Sequence, residues 1–207
     1  MSENSYLTLG GEGSGIYTEK KSEFIGYAAH VETEEEAIEF IARIRHKHGD
    51  ARHNVYAYLL RSGAARYSDD GEPQGTAGVP VLETIKKGGF SDAVIVVTRY
   101  FGGILLGAGG LVRAYTAAAK AACDDARVVC LEELVEIRVE CSYNEYQRLL
   151  PHIKRCELVT DDTVFTDVVT LSLAGRESDT SAFAEALGEL SGGKLSPAVV
   201  GKRFGVR

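Results

Sequence analysis

The chain has 207 residues, of which 44% are hydrophobic and 26% are charged, and its formal net charge is -7. This length fits one large domain or two small ones, and the composition is typical of globular proteins. The acidic balance excludes a protein whose whole surface is basic, although a local basic patch is compatible with it. No apolar run approaches the roughly 20 residues of a membrane span, and the N-terminus lacks a signal-peptide pattern.

The four cysteines indicate the compartment in which the protein resides. They form no C-x-x-C pair, and no histidine lies at zinc-like spacing from two of them. These residues are Cys123, Cys130, Cys141 and Cys156. We therefore expect reduced thiols in the core of a cytoplasmic protein that contacts no membrane and holds no zinc.

The first half of the chain predicts a leader followed by alternating strands and helices. Residues 1–15 are polar and rich in glycine, which indicates a flexible leader. Strand patterns follow at 22–31, 54–61 and 92–99, and helix patterns at 33–48, 80–87 and 111–126.

The first of these helices has a clear start and a clear apolar face. Thr33 and Glu36 form a capping-box pattern at its start. The expected apolar stripe consists of Ala37, Ile38, Ile41 and Ile44. His46 and His48 lie in the last turn, where a positive charge complements the helix dipole.

The second half of the chain predicts a βαββαβ order. A strand over 134–142 precedes a helix that opens with a second capping box, Ser142 and Glu145. Two strands follow, and we expect a turn at the Asp161–Asp162 pair between them. A second helix, "SDTSAFAEALGEL", and a final strand within "KLSPAVVGKRFGVR" complete the pattern.

The stretch "SDDGEPQGTAGVP", residues 68–80, is an acidic loop that carries Asp69, Asp70 and Glu72. Its glycines and prolines exclude a regular helix or strand. The three carboxylates are neutralised either by Arg66, Arg99 and Arg113 in an ion-pair network or by a hard cation such as Mg²⁺. The spacing does not fit an EF-hand, so no metal site is assigned.

A glycine-rich connection, "TRYFGGILLGAGGLVRAY" at residues 98–115, joins a buried strand to the long helix. The start of a helix presents unpaired N–H groups, and Arg99 and Arg113 add positive charge beside it. The pattern therefore predicts a site for phosphate or carboxylate. The site would include Arg99, Gly102, Gly103, Gly107, Gly109, Gly110 and Arg113.

This connection matches neither of two familiar phosphate-binding motifs. No Gly-Lys-Ser/Thr follows it, and Val112 stands where a dinucleotide fingerprint needs glycine. The alternative interpretation is that the glycines only permit close packing of strand and helix. In that case Arg99 and Arg113 would serve to pair with the acidic loop.

No catalytic residue is assigned from a motif, because the hydrolase patterns that we sought are absent. His53, which precedes Asn54 at the start of a strand, is the best lone candidate for acid–base chemistry. The alternative is a structural histidine that makes hydrogen bonds. Tyr56 and Tyr58 share a strand face, where they either stack on bases or belong to the core.

Two blocks of this sequence resemble those of the YigZ/IMPACT family. They are "YSDDGEPQGTAGVPVLETI" and "AVIVVTRYFGGILLGAGGLVRAY", and "KSEFIG" and "RHNVYAY" also fit. The resemblance covers about residues 18–127. Asn54, Arg66 and Thr76, which lie in or near these blocks, are expected to support the site.

The resemblance implies an α+β protein of two domains. Residues 16–129 would have the ribosomal protein S5 domain 2-like fold, after the leader at 1–15. Residues 130–207 would form a ferredoxin-like domain similar to domain V of elongation factor G. Eukaryotic members of the family act in translational control, through a partner that the resemblance does not transfer to this chain.

From the residues and the resemblance together we expect a translation-linked regulatory protein that binds RNA or a ribosomal surface. One alternative is an enzyme, a hydrolase or transferase, that acts on a phosphorylated or carboxylated small molecule, with His53 or an acidic-loop carboxylate as acid–base group. A further alternative is an adaptor that binds a protein partner through an edge of the C-terminal sheet. No cofactor is expected, apart from Mg²⁺ in the enzyme alternative, and the sequence indicates no oligomeric state.

Overall fold

The computed structural model describes residues 4–206. The chain divides into an N-terminal unit, Tyr6–Cys130, and a C-terminal unit, Leu131–Arg207, which also includes the start of the chain through Ser5. Within residues 4–206, none of the helices combines the length and the hydrophobicity needed to cross a bilayer.

The N-terminal unit is built around one antiparallel sheet of five strands with the order β2-β3-β6-β4-β5. Its elements are β1 (Ser5–Leu9), β2 (Gly13–Glu19), β3 (Ser22–His30), α1 (Glu34–Lys47), β4 (His53–Leu59), β5 (Ala65–Ser68), α2 (Gly78–Gly88), β6 (Ala93–Tyr100) and α3 (Ala108–Ala126). The three predicted strands and three predicted helices are confirmed, with shifted ends. β1, β2 and β5 were not predicted.

The prediction of a flexible leader at residues 1–15 is corrected by the structure. Residues 5–9 lie in β1, and residues 13–15 lie in β2. Residues 1–3 lie outside the described residues. A Cβ added at Gly13 would lie 2.2 Å from the backbone nitrogen of Ala126, and one at Gly15 would lie 2.5 Å from Ala121 Cβ. These glycines therefore allow β2 to approach α3 closely, rather than giving a flexible chain.

The two faces of the N-terminal sheet are covered by different helices. α1 packs on one face, where Phe40 and Ile44 meet Tyr58 and Val96. α2 and α3 pack on the other face. Tyr58 is buried and Tyr56 packs against the same cluster as α1, in agreement with the core alternative for this pair.

The first helix shows one difference from its predicted apolar stripe. Ala37, Ile41 and Ile44 are buried as expected, but the fourth buried position is Phe40 and Ile38 is 52% exposed. At 3.6 residues per turn, positions 37, 40, 41 and 44 share one face, and position 38 lies beyond its edge. The Thr33 hydroxyl accepts a hydrogen bond from Glu36 N at 3.1 Å, so the predicted cap is confirmed.

The C-terminal unit has the predicted βαββαβ order. It contains β7 (Val128–Cys141), α4 (Tyr143–Arg155), β8 (Val159–Phe165), β9 (Val169–Gly175), α5 (Glu177–Ser191) and β10 (Ala198–Gly205). In the sheet, β7 lies between β10 and β9, and β8 follows β9, with each neighbouring pair antiparallel. The Ser142 capping box is confirmed: Ser142 Oγ accepts from Glu145 N at 3.3 Å, and Ser142 N donates to Glu145 Oε2 at 2.8 Å.

Two further expectations in this half are corrected. The Asp161–Asp162 pair lies inside β8, where the register shifts between Thr160 and Asp162, rather than in a turn. The chain turns later, where Thr166 N donates to Val168 O at 2.9 Å. Cys130 lies exposed on β7, whereas the other three cysteines are buried.

Candidate functional site

The candidate site lies at one end of the N-terminal sheet. The register pairs Arg99, near the end of β6, with Phe24 at the start of β3 and His53 at the start of β4. The acidic loop, which leads into α2, and the glycine-rich loop, which leads into α3, lie at this same end. Both helices therefore begin here and run in the same direction along the sheet.

Glu72 and Arg99 form a buried ion pair below these loops. Arg99 Nη1 lies 2.6 Å from Glu72 Oε1, and the two side chains are 7% and 4% exposed. Tyr115 on α3 donates its hydroxyl to the same oxygen at 2.8 Å. Burial, together with the Glu72 charge, raises the pKa of Tyr115 above its usual value, so the phenol stays protonated and remains a donor.

Two aromatic rings lie beside the Arg99 guanidinium. Its guanidinium carbon lies 5.4 Å from the ring centroids of both Phe24 and Phe101. Its buried Nε has no hydrogen-bond partner within residues 4–206. These contacts favour the alternative in which Arg99 neutralises the acidic loop.

Asp70 holds the loop to α1 and β4. Its Oδ1 accepts from Arg45 Nη2 at 2.8 Å, and its Oδ2 accepts from the backbone nitrogen of Asn54 at 2.7 Å. Sequence reasoning missed Arg45, because it lies on α1, 25 positions before Asp70, and no local motif links them.

Asp69 acts as a cap for α2, although it lies well before the helix. Its Oδ1 accepts from the backbone nitrogens of Ala77 and Gly78 at 3.1 and 2.8 Å, and its Oδ2 accepts from Gly75 N at 2.9 Å. The residue at the N-cap position, Ala77, has no side chain that could do this. The supporting residue Thr76 donates to Pro73 O at 2.6 Å and so tightens the same loop.

The side chains of Asp69, Asp70 and Glu72 thus form hydrogen bonds and ion pairs with other residues of the N-terminal unit, and these bonds hold the acidic loop in place. Of the arginines expected to neutralise it, Arg99 does so, whereas Arg66 lies exposed on β5 opposite Tyr58. Within the described part of the chain, no group of three or more His, Cys, Asp or Glu side chains is arranged to hold a metal ion.

His53 lies against the acidic loop. Its Nδ1 lies 2.8 Å from the backbone oxygen of Asp70. Because a carbonyl only accepts, Nδ1 carries the hydrogen. Asn54, its neighbour, accepts from the Thr98 hydroxyl at 2.7 Å in the sheet interior and has a structural place.

The glycine-rich loop, residues 101–107, is open to solvent. Gly103 and Gly107 have φ of 84° and 72°, a region that favours glycine. A Cβ at Gly102 would lie 2.0 Å from the carbonyl carbon of Lys21, so this loop packs directly on the turn between β2 and β3. Leu105 is 82% exposed at the tip.

The start of α3 is uncapped and carries one unpaired charge. No side chain caps it, and its first turn has no acidic residue. The first helical bond runs from Leu111 N to Gly107 O, which leaves the N–H groups of Ala108, Gly109 and Gly110 without helical acceptors. Arg113 is exposed and makes no hydrogen bond or ion pair within residues 4–206. It does not pair with the acidic loop.

A second polar network, which sequence reasoning missed, lies on the α1 face of the same sheet end. His48 Nε2 lies 2.8 Å from the Tyr27 hydroxyl, and Nδ1 lies 2.9 Å from the Tyr100 hydroxyl, which itself donates to Asp50 Oδ1 at 2.8 Å. Burial lowers the pKa of His48. The expectation of a charge at the helix end is thus corrected for His48, which is buried and hydrogen-bonded as a neutral ring.

Comparison with known sequences places both halves of the chain in described families. Residues 20–123 match the Impact N-terminal domain, and residues 139–194 match a domain of unknown function, DUF1949. A solved structure described as that of an hypothetical protein has 30% identity and a TM-score of 0.62, over 97% of this chain and 99% of that one.

Named relatives cover most of the chain. "IMPACT family member YvyE" of Bacillus subtilis is 36% identical over 92% of this chain and 89% of its own length. "IMPACT family member YigZ" of Escherichia coli is 34% identical over 85% of this chain and 88% of its own length. The chain therefore belongs to the IMPACT family.

Proposed function

We propose that this chain is a translation-linked regulatory protein that binds RNA or a ribosomal surface through the start of α3 and the glycine-rich loop. One observation carries the proposal: Arg113 is exposed and unpaired within residues 4–206, beside an uncapped helix start. A phosphate would accept from the free N–H groups and from the guanidinium fork together.

The composition of the loop supports contact with a macromolecule. Phe101, Ile104 and Leu105 are large apolar side chains that are exposed around the basic position. Lys20 and Lys21 form the exposed turn on which Gly102 packs, and they add positive charge near the loop. An apolar tip with basic neighbours suits stacking on unpaired bases combined with phosphate contacts.

In this proposal Arg99 has a different role from Arg113. Arg99 is buried and bound to Glu72, so it positions the loop from below rather than touching phosphate. Gly109 leaves the exposed side of the helix start free of a side chain beside Arg113, so that an anion can approach the backbone there. Gly110 is buried, and a Cβ at this position would lie 2.9 Å from Leu106 Cβ, so it serves close packing of the loop. The direct contact is assigned to Arg113.

We also infer that the two units have the folds that the family resemblance implies. The βαββαβ order and the strand order β10-β7-β9-β8 support a ferredoxin-like C-terminal unit. The five-stranded sheet with α2 and α3 on one face supports an S5 domain 2-like N-terminal unit.

The test is co-sedimentation with ribosomes and with isolated subunits across a salt series, using wild type, Arg113→Gln and Arg127→Gln. Arg127 is an exposed arginine at the opposite end of α3, so it controls for loss of charge. We expect binding to weaken with salt and to be reduced in Arg113→Gln alone. Equal loss in both variants, or no binding at low salt, would contradict the proposed site.

The enzyme alternative rests on His53. Its Nδ1 is held by Asp70 O, and no hydrogen bond to its Nε2 is made within the described residues, so this nitrogen can act as acid or base. A thermal-shift screen of phosphorylated and carboxylated small molecules, with and without Mg²⁺, tests this alternative. A ligand that stabilises wild type but not His53→Gln would favour it over RNA binding.

A further inference from the structure

A groove with a volume of about 580 Å³ lies between α2 and α3, within the N-terminal unit. Its apolar lining comes from Val79 and Pro80 on α2, Val112 on α3, and Phe90 and Val128 beyond the helix ends. His53, Arg99 and Arg113 do not line it. The volume lies within the range of about 300–1,000 Å³ that small-molecule sites occupy.

The two walls of the groove carry the same polar groups in the same order. Because α2 and α3 run in the same direction, Thr84 precedes Lys87 on one wall as Thr116 precedes Lys120 on the other. In each case the hydroxyl and the ammonium are about one turn apart. The two lysines therefore project from opposite walls toward one groove.

The two lysines of the groove are not held in ion pairs. Neither Lys87 nor Lys120 has a carboxylate within ion-pairing distance in residues 4–206, whereas Glu83 pairs with Lys86 at 3.6 Å. Asp124 is the other lining carboxylate, so the groove contains two lysines and two carboxylates, and Glu83 is the carboxylate that already has a lysine partner. Burial raises the pKa of Cys123 to about 12, which keeps this lining thiol neutral.

We propose that this groove binds an elongated apolar molecule with one carboxylate, of which a medium-chain fatty acid is the simplest example. The apolar chain would lie against Val79, Phe90 and Val128. The carboxylate would lie between Lys87 and Lys120. This site is separate from the Arg113 surface and does not depend on the proposed function.

The test is an NMR titration of the full chain with decanoate, and with decan-1-ol as the uncharged match. We expect decanoate to shift the amide signals of Thr84, Thr116 and Lys120. The Lys87→Gln/Lys120→Gln variant should weaken decanoate binding by about tenfold or more, the effect of one ion pair in a partly desolvated site. It should leave decan-1-ol binding unchanged.

Two further variants make the titration decisive. Lys154→Gln/Lys194→Gln removes two exposed lysines of the C-terminal unit and should bind decanoate as wild type does. Thr116→Trp, at an exposed position on the groove wall, should block both ligands without unfolding the chain.

Three results would overturn the proposal. The first is the absence of shifts in wild type at millimolar decanoate, and the second is unchanged affinity in Lys87→Gln/Lys120→Gln. The third is a concentration-dependent dimer that Thr116→Trp abolishes, together with no decanoate binding, which would assign the groove to a second copy of the chain.

Discussion

The acidic loop and the glycine-rich loop lie at the same end of one sheet, and both combine glycines with nearby charged side chains. The charged groups of the acidic loop are bonded within the protein, whereas the arginine beside the glycine-rich loop is exposed. In the acidic loop, Glu72 is buried against Arg99, and Asp69 is covered by backbone N–H groups. In the glycine-rich loop, the helix start is uncapped and Arg113 is unpaired within residues 4–206.

Charge density alone therefore does not identify a binding surface. The sequence places three carboxylates in four positions, yet each of these side chains already accepts hydrogen bonds from within the protein. A single exposed arginine beside free N–H groups retains its capacity to bind an anion. Substitutions at the Glu72–Arg99 pair and at Asp69 should therefore change folding stability, whereas substitution of Arg113 should change binding.

Arg99→Gln should destabilise the N-terminal unit by about 3–5 kcal/mol, because it leaves the Glu72 carboxylate buried without its cation. Urea unfolding followed by circular dichroism measures this change. Adding Glu72→Gln to Arg99→Gln should recover part of the loss, since the uncompensated charge is then removed. A stability equal to wild type in Arg99→Gln would mean that the ion pair is not structural.

Asp69→Ala should lower the free energy of unfolding by about 2 kcal/mol, at the upper end for loss of a helix cap. Three backbone N–H groups lose their acceptor at once in this variant. Glu83→Gln on the surface of α2 is the matched control and should change stability by less than about 0.5 kcal/mol. If the two variants unfold alike, the cap contributes nothing.

His48 should make folding stability depend on pH. Because its pKa is lowered in the folded protein, the unfolded chain binds a proton near pH 6.5 that the folded chain does not. Stability should therefore decrease as the pH falls below about 6.5, by at most about 1.4 kcal/mol for each pH unit. His48→Gln should remove this component, whereas His46→Gln, at an exposed position, should retain it.

Arg113→Gln should change stability least, by less than about 0.5 kcal/mol, because the side chain makes no bond that folding depends on. If ribosome binding is observed, the same variant should reduce the slope of log affinity against log salt by about 1, the loss of one phosphate contact. A destabilisation as large as that of Arg99→Gln would remove the contrast between the two loops.

Much of the element order was predictable from the sequence, because period and capping are local signals. Ser142 with Glu145 and Thr33 with Glu36 mark helix starts that the structure confirms. Gly13 and Gly15 led to a wrong prediction of a flexible segment. Their packing partners on α3 lie more than 100 positions away, so the sequence around these glycines does not reveal the packing. The turn predicted at Asp161–Asp162 was also wrong, because a register shift accommodates this pair within β8.

The sequence identified candidate residues for the site, but it did not identify their bonding partners. The acidic loop and the arginines were both identified, and the sequence left open whether they pair. Which arginine meets which carboxylate depends on the strand register and on α1, so Arg45 was missed and Arg66 was included. Pairings across strands follow from tertiary structure and not from spacing along the chain.

The remote cap on α2 has a consequence for the order of folding. α1 and α4 are capped by Thr33 and Ser142, each immediately before its helix, so isolated peptides of these segments carry their own start signal. α2 receives its cap from Asp69, which must first be carried back by closure of the loop that follows β5. We therefore expect α2 to form late, after its strands have paired, as a helix nucleated by tertiary structure.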